Sequence, residues 1–527
     1  MAKAYRPVNR DQPFLLPPDM RDWLPDDHLV WFLLETVQAL DLEAFHAKHP
    51  NDGAGRAAYD PQMMVALLVY AYCCGERSSR QIERLCQVNV AFRVVCAGDV
   101  PDHTKIARFR AVHQDAFEEV FAQVLRVAGR AGLAKFETVA IDGTKIAANA
   151  SLAANRDADW FLREEIAKIV TEARAVDEAE DAEHGPDDRG DGPPPDLRDP
   201  TRRRARIAAA AAEIEAEQKA GAARQADLDA VRAKEAAQRL ERLGAGEKVL
   251  GRYPRGADRV TEAQARLDRV IAAQQAKIDR RAARIAAGER PSGTAPVPVE
   301  EHVHVKTARA ALEAAQAHVD KPLVRDLQRQ KQTQAQANLT DAHSRVMPTR
   351  KGWVQGYNAQ LAITADQIIV ALSLGQNPND MDQFIPMMRA AQDCAATLNA
   401  LTRSPEHVIG TVLADAGYPS EDNLTAEGPD RLIALGKSRD QARAAKTHPT
   451  QGEPPPDATP REAMDHRLRT PEGATLYKRR GATVEPGIGN LKKLLPRMSR
   501  RGLDAVRSEL HLAATAFNLR KIHTALT

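Results

Sequence analysis

The segment "FETVAIDGTK", residues 136–145, determines which fold class the chain can adopt. Its apolar run from Phe136 to Ile141 predicts a strand that delivers Asp142, and Gly143 predicts a turn directly after it. A largely apolar strand that ends in an acid is typical of a buried parallel strand, because such strands are covered on both faces. The segment therefore indicates an α/β fold with Asp142 at the carboxyl end of a strand.

Other segments downstream have the character of strands. "NAQLAIT" and "QIIVALSLG" are β-rich and are separated by Ala365 and Asp366, which predicts a hairpin. "HVIGTVLAD" predicts a buried strand ending in Asp415, and "RLIALG" predicts another. Because open α/β sheets place their sites at the carboxyl edge, we expect Asp142 and Asp415 to converge there. An aspartate after a strand is more often a turn former or helix cap, so neither acid is diagnostic alone.

Each of these acids has a glycine beside it, in "AIDGTK" and "LADAGY", which permits close approach of backbone or phosphate. A third acid, Glu485, lies in "YKRRGATVEPGIGNLKKL". Pro486 suits the first turn of a helix, which predicts Glu485 at the helix mouth. Lys492 follows after about two turns and is expected on the same face. The alternative role for Glu485 is a favourable interaction with the helix dipole.

Residues 157–341 differ in composition from the flanking chain, since Tyr253 is the only aromatic between Phe161 and Trp353. Such a segment cannot bury a large core of its own. Its runs of Ala, Glu, Arg, Gln and Leu, with alternating charges, predict long helices or a coiled-coil hairpin. The stretch "DEAEDAEHGPDDRGDGPPPDLRDP" within it predicts a disordered acidic loop.

The N-terminal stretch, residues 1–135, has helical periodicity throughout. We predict a helix from Asp60 and Pro61 to Gly75, one capped by Ser78 or Ser79, and one capped by Asp102 or Thr104. Short helices joined by tight turns are compatible with a helix-turn-helix-like module. Its candidate phosphate contacts are basic: Arg77, Arg80, Arg84, Lys105, Arg108 and Arg110. A plain helical bundle with a solvated basic face explains the same pattern.

The C-terminal stretch is strongly basic, although the whole chain of 527 residues has a formal net charge of only +2. From Lys478 to Lys521 there are eleven basic and three acidic residues, a net +8, so the remainder carries −6. This bias favours contact with a phosphate backbone over a merely solvated helical end. The polar segment between Gly436 and Leu476, which contains "EPPPDATPRE", predicts a flexible linker or loop.

Composition limits the protein class. Mean hydropathy is −0.46 with 28% charged residues, and no apolar run approaches the roughly 18 to 20 residues that cross a bilayer. The start of the chain lacks the apolar core of a signal peptide. The five cysteines include no CxxC pair, which fits a reducing compartment and gives no zinc signal. We therefore expect a cytoplasmic protein without a membrane partner.

Several motifs in order, "AIDGTKIAANAS", "GYNAQLAI", "NPNDMDQF", "VLADAGYPSEDNL", "VEPGIGNLKK" and "AATAFNLRKI", resemble those of the DDE transposases of bacterial insertion sequences. "SSRQIERL" and "FRVVCAGDVPDHTKIARFR" resemble the N-terminal region of the group that carries a helical transposase domain. The resemblance implies an RNase H-like mixed sheet interrupted by a long helical insertion and preceded by an all-α domain. The implied domains are 1–135 for DNA binding, 136–156 with 342–527 for catalysis, and 157–341 as the insertion.

The resemblance implies roles for particular residues. Asp142, Asp415 and Glu485 would be the catalytic acids and the ligands of two Mg²⁺ or Mn²⁺ ions, to which hard carboxylate oxygens are suited. Tyr477, Arg480, Glu485 and Lys492 resemble the family's Tyr, Arg, Glu and Lys cluster. Four residues rather than the usual three separate Arg480 from Glu485, and "PGIG" replaces a bulky residue and Phe. The expected DNA-binding residues are Lys145, Arg479, Arg480, Lys492, Lys493, Arg497, Arg500 and Arg501.

The function implied is a DNA transposase that binds the element's ends, cleaves DNA with metal ions and transfers the 3′-hydroxyl into target DNA. Its partners would be double-stranded DNA and, in the DNA complex, a second copy of the chain, in the bacterial nucleoid. The alternative is a transposase-derived DNA-binding or scaffold protein without catalysis. The insertion would be either a helical arm that dimerises or clamps DNA, or a tolerated surface excursion.

Overall fold

A computed structural model describes residues 19–48, 58–157, 232–245, 256–317, 336–338, 340–349, 352–403 and 405–527, with scattered positions between 219 and 247. The chain divides into two compact units, the first formed by Met1–Ile207 and Ala337–Thr527 and the second by Ala208–Gln336. Within the described residues, no helix is both long and apolar enough to span a membrane.

The N-terminal part of the first unit is helical, as predicted. Its helices are α1 (Leu29–Gln38), α2 (Glu43–His46), α3 (Pro61–Cys73), α4 (Ser79–Val88), α5 (Val90–Val95), α6 (His103–Val112) and α7 (Ala116–Arg130). The predicted helix starts are confirmed. The side chains of Asp60, Ser78 and Asp102 each accept a backbone N–H at the start of α3, α4 and α6, which satisfies a donor that the helix itself cannot pair. Helix α3 is followed by Gly75, at φ +79°, a conformation that glycine adopts readily.

The second unit is described mainly by two helices, α8 (Gly256–Ala286) and α9 (Val303–Gln316). They pack on each other through a small apolar cluster of Leu267, Val305 and Leu312. The side chain of Glu262 is almost inaccessible and pairs with Arg239 and Arg266. A helical segment with so little apolar burial agrees with the aromatic-poor sequence. The predicted acidic loop lies outside the described residues.

The strands are β1 (Thr138–Ala147), β2 (Asn155–Asp157), β3 (Gln336–Asn338), β4 (Arg345–Thr349), β5 (Gly352–Thr364), β6 (Ile369–Gly375), β7 (Thr411–Ala414) and β8 (Asp430–Ile433). Short 3₁₀ turns occur at Met20–Trp23, Leu152–Ala154, Val299–Glu301 and Met381–Gln383. The main sheet has the order β4, β5, β1, β7, β8, and β6 also pairs with β5; β2 and β3 form a separate pair. Strand β5 is antiparallel to β1, β4 and β6, whereas β7 is parallel to both β1 and β8, so the sheet is mixed.

The first strand is longer than the sequence predicts. We predicted its end at Asp142 with a turn at Gly143, but β1 continues through both residues to Ala147. The prediction was wrong because β5 pairs with this whole length, matching Asp142 with Leu361 and Ala147 with Gly356. The predicted hairpin of β5 and β6 and the strands β7 and β8 are confirmed.

The remaining helices are α10 (Phe384–Thr402), α11 (Glu421–Thr425), α12 (Ser438–Thr447), α13 (Pro460–Arg469), α14 (Pro471–Leu494) and α15 (Leu503–Leu526). A single hydrophobic core runs from the N-terminal helices through the sheet to α15. The buried amide of Asn518 on α15 both donates to the carbonyl of Ile369 and accepts from its N–H, which fixes the start of β6 against the helix.

The predicted linker between Gly436 and Leu476 is confirmed only for residues 448–459, because the flanking parts of the segment are helical. Thr459 and Glu462 form a reciprocal capping box at the start of α13, with Pro460 in the first turn. Thr470 caps α14 directly afterwards. Two of the prolines that suggested a loop, Pro460 and Pro471, are instead the first residues of helices.

Candidate active site

Asp142 and Asp415 occupy equivalent positions on neighbouring parallel strands. Ile141 of β1 is paired with Ala414 of β7, and the two aspartates are the next residues along each strand. The prediction that they converge is therefore confirmed. Gly143 N–H donates to the Asp142 side chain at 2.9 Å, and Gly417 N–H donates to the Asp415 side chain at 2.8 Å.

Arg480 of α14 joins the two carboxylates. Its Nη2 lies 2.7 Å from Asp142 Oδ2 and 3.7 Å from Asp415 Oδ2. The Arg480 and Asp142 side chains are 10% and 18% exposed, whereas Asp415 is 40% exposed and faces more solvent. The helix brings this guanidinium to the sheet because Val484, Gly487 and Leu491 on the same face of α14 are buried.

Burial raises the pKa of Asp142 to about 6. The Arg480 guanidinium opposes this shift, while the carboxylates of Asp415 and Asp380 add to it. Desolvation outweighs the ion pair because water is largely excluded from the Asp142 carboxylate. A cation placed at this group would therefore have to displace a proton near or below pH 6.

The structure adds an acid that sequence reasoning missed. Asp380 precedes α10, and its Oδ1 accepts from Lys145 Nζ at 2.9 Å. Asn358 and Gln360 of β5 donate to the same oxygen at 2.6 and 2.7 Å. Two features of the sequence could have pointed to Asp380. It lies within "NPNDMDQF", one of the motifs of the resemblance, and Gly143 after Asp142 leaves space beside β1 for another side chain.

Glu485 is placed differently from the prediction. It lies inside α14 rather than at a helix start, because the helix begins at Thr470 and continues past Pro486. The missing N–H of Pro486 is tolerated on an exposed side of the helix, where water can solvate the freed carbonyl. The Glu485 side chain is exposed to solvent on α14. The structure brings Asp142 and Asp415 together, whereas the place of Glu485 at this site stays a prediction.

Lys492 lies within electrostatic range of Asp142 and Lys145. Burial lowers the pKa of Lys492, and the positive charge of Lys145 lowers it further, whereas the Asp142 carboxylate opposes the shift. The three charged groups therefore interact electrostatically. Lys492 follows Glu485 by two helical turns, and the two residues therefore share a flank of α14. This flank interacts with Asp142 at Lys492 and is solvent-exposed at Glu485.

The other predicted DNA-binding residues fall into two groups. Arg479 and Lys493 are exposed on α14. Arg500, by contrast, donates to the carbonyls of Arg110 and Ala505, Arg501 donates to the carbonyl of Asn149, and Arg497 donates to Ala148 and Asn149. Among the N-terminal candidates, Arg110 is buried and donates to Arg77 and Ser79. Much of the basic charge therefore makes intramolecular contacts.

The donor set fits a hard divalent cation. Asp142 and Asp415 present carboxylate oxygens to a common positive group, and oxygen donors are what Mg²⁺ and Mn²⁺ prefer. In the described parts of the chain, the one group of three potential ligands within mutual reach is Glu83, Asp102 and His103. It belongs to the N-terminal helices, where Asp102 caps α6 and Glu83 accepts from His103.

Two segments of the chain match known protein families. Residues 18–112 match a transposase domain (DUF772), and residues 442–523 match a transposase DDE domain. The first match spans α1 to α6 and the second spans α13 to most of α15, including Arg480, Glu485 and Lys492. No curated protein and no solved structure matches the chain significantly. The order of the two matched domains agrees with the resemblance noted in the sequence.

Proposed function

We propose that the chain cleaves DNA at the ends of an insertion sequence and transfers the 3′-hydroxyl into target DNA. The proposal takes the chain as a DDE transposase because two of its segments match transposase domains. The observation that carries the proposal is the adjacent placement of Asp142 and Asp415 around Arg480. The strand order, with β1 central, an antiparallel hairpin on one side and parallel strands on the other, supports an RNase H-like catalytic fold.

Asp142 and Asp415 would hold Mg²⁺ or Mn²⁺, with two ions expected. Bound ions would supply charge neutralisation at the phosphate and activation of the attacking hydroxyl. The chain's own contribution is to hold two carboxylates on adjacent strands and to keep water from Asp142. Glu485, as third ligand, would have to turn inward from its exposed position when metal and DNA bind.

Basic residues near the aspartates would bind the DNA backbone. Lys492 and Lys145 lie beside Asp142, and Arg479 and Lys493 extend the positive surface along α14. Salt should weaken such phosphate contacts steeply. Arg497, Arg500 and Arg501 would act mainly by shaping the segment between α14 and α15, because their guanidinium groups donate to backbone carbonyls and Asn149.

This assignment implies a separate role for each domain. Residues 1–135 would recognise the element ends, residues 136–156 with 342–527 would form the catalytic domain, and residues 157–341 would form a helical arm. Pairing of two ends implies a homodimer in the DNA complex, acting at the nucleoid.

The proposal is tested by cleavage of DNA carrying the native element ends with Mg²⁺. Asp142→Asn, Asp415→Asn and Glu485→Gln should each abolish cleavage and leave end binding within a few-fold. Asp393→Asn, an exposed acid on α10, serves as the matched control. Retained cleavage in Asp142→Asn or Asp415→Asn would overturn the site, and retained cleavage in Glu485→Gln alone would remove that residue from it.

The exposed position of Glu485 favours a second candidate, a transposase-derived DNA-binding or scaffold protein without catalysis. This protein would bind the same DNA with strong salt dependence but would not nick it with Mg²⁺ or Mn²⁺. The cleavage assay with wild-type protein separates the two functions.

A further inference from the structure

Asp380 lies against β1 and β5 at a position that Gly143 leaves open. A Cβ atom built on Gly143 would meet Asp380 Oδ1 at 2.5 Å and Cγ at 2.9 Å. A Cβ on Gly417 would lie 3.7 Å from both Cβ and Oδ2 of Asp380. Gly143 therefore makes room for a third carboxylate, whereas the position of Gly417 lies in ordinary van der Waals range of it.

The Asp380 carboxylate is held tightly on one oxygen. Its Oδ1 accepts three hydrogen bonds at once, from the Lys145 ammonium and from the amides of Asn358 and Gln360. Asn358 and Gln360 are almost fully buried, at 1% and 0% exposure, so they can hardly exchange these bonds for water. Asn358 is the register partner of Lys145, and Gln360 is the partner of Gly143, so the acid is fixed across the β1 and β5 pair.

The same network reaches the turn that carries Asp415. Gln360 Oε1 accepts from the hydroxyl of Tyr418 at 2.5 Å, and Tyr418 is fully buried three residues after Asp415. A continuous chain of side-chain hydrogen bonds thus joins Tyr418, Gln360, Asp380 and Lys145. Buried polar groups that are fully paired in this way restrict their neighbours to one arrangement.

We propose that Asp380 is a positioning residue of the active site, which aims Lys145 at the scissile phosphate and sets the turn of Asp415 against β1. The proposal rests on the function proposed above. An asparagine at this position would offer the same acceptor to Asn358 and Gln360, but it would leave the Lys145 ammonium without its counter-charge. A third negative charge beside two carboxylates is costly unless that charge has a specific partner, and Lys145 is that partner.

The test is single-turnover cleavage of end DNA by Asp380→Asn, Lys145→Met and the double variant, with Kd for the same DNA measured separately. We expect each single variant to lose about 10²-fold in the cleavage rate, the size of effect that misplacing a reacting group produces. The double variant should lose no more than the worse single one, because both remove one interaction. Kd should change by less than about threefold in Asp380→Asn, whereas Lys145→Met, which removes a proposed phosphate contact, should weaken binding.

Asp382→Asn is the matched control, since Asp382 is exposed two residues away and should leave the rate unchanged. Thermal unfolding of each variant checks that the fold is retained. If Asp380→Asn unfolds, Asp380→Glu decides, because it keeps the charge but moves the oxygen that accepts from Lys145, and the proposal requires it to lose cleavage rate as well.

Some outcomes would overturn the positioning role alone. These are an inactive Asp142→Asn beside a fully active Asp380→Asn, or losses in the two single variants that add in the double variant. A wild-type protein that does not cleave, by contrast, would overturn the proposed function itself together with this inference.

Discussion

Arg480 holds Asp142 in a largely buried ion pair, with 2.7 Å between Nη2 and Oδ2. The same nitrogen is 3.7 Å from Asp415 Oδ2, so one guanidinium offsets the mutual repulsion of two carboxylates. This relationship links α14 to the sheet and makes the protonation state of Asp142 depend on a residue 338 positions away.

Removing Arg480 should change the pH dependence of cleavage. The guanidinium is the main influence that opposes the raised pKa of Asp142, so Arg480→Met should move that pKa above its present value of about 6. We expect the acidic limb of the kcat/KM profile, which reports the free enzyme, to shift to higher pH. Lys478→Met, an exposed change two residues away on α14, should leave the limb in place. An unshifted limb in Arg480→Met would contradict the electrostatic coupling.

Divalent cation binding should depend on pH with a midpoint near 6. Asp142 must lose its proton to serve as a ligand, so Mn²⁺ affinity should fall by about tenfold per pH unit below that midpoint. Calorimetric titration with Mn²⁺ at several pH values between 5 and 8 measures this slope. A flat affinity across that range would exclude Asp142 as the titrating ligand.

The same pKa has a consequence for the metal-free protein. A carboxyl whose folded pKa is raised favours folding at low pH, and that contribution is lost as pH rises through about 6. The wild type should therefore lose stability between pH 5 and pH 8, whereas Asp142→Asn should not. The Tm of the variant minus that of the wild type should be larger at pH 8 than at pH 5. Equal differences in Tm at the two pH values would contradict the raised pKa.

The sequence predicted the strands that position the aspartates because burial on both faces leaves an uninterrupted apolar run, as in Val139, Ala140 and Ile141. It could not predict where β1 ends. The partner that extends this strand, β5, lies more than 200 residues further along the chain, and local residues such as Gly143 are typical of a turn.

Local signals failed for similar reasons at the other acids. Pro486 indicated a helix start, but Gly487 packs against Ile363 and the buried face of α14 continues through this position, so tertiary packing overrides the local preference. Apart from its place in "NPNDMDQF", Asp380 carried no local signal of its role, because its partners Lys145, Asn358 and Gln360 come from two distant strands.

Gly143→Ala should disrupt the active site. The added methyl group would lie 2.5 Å from Asp380 Oδ1 and even closer to Gln360 Nε2, and both groups are fixed by other hydrogen bonds. We expect a stability loss of about 1 to 3 kcal/mol, typical of overpacking, and a loss of cleavage. Gly489→Ala on α14 is the control, because its Cβ meets nothing within 4 Å and should stabilise the helix by about 0.5 to 1 kcal/mol. Denaturant unfolding distinguishes the two signs.

Glu509 should be essential for attaching the N-terminal helices to the C-terminal helix. This carboxylate on α15 is inaccessible to solvent and accepts from the backbone N–H groups of Ser499 and Arg500, at 2.9 and 3.1 Å, and from Tyr72 of α3 at 3.4 Å. Glu509→Leu would leave two buried N–H donors unpaired, each costing about 1 to 3 kcal/mol. It would also remove the negative charge that faces buried Arg500, whose pKa burial already lowers.

We therefore expect Glu509→Leu to lower the free energy of unfolding by about 3 kcal/mol or more, and Glu509→Gln by less, since the amide keeps one acceptor. Asp504→Asn, at an exposed acid in the first turn of the same helix, should cost well under about 1 kcal/mol. Hydrogen exchange measured in both α3 and α15 locates the effect: faster exchange in both helices is expected, because the carboxylate joins them. Acceleration confined to α15 would mean that the apolar core alone holds the two transposase-like segments together.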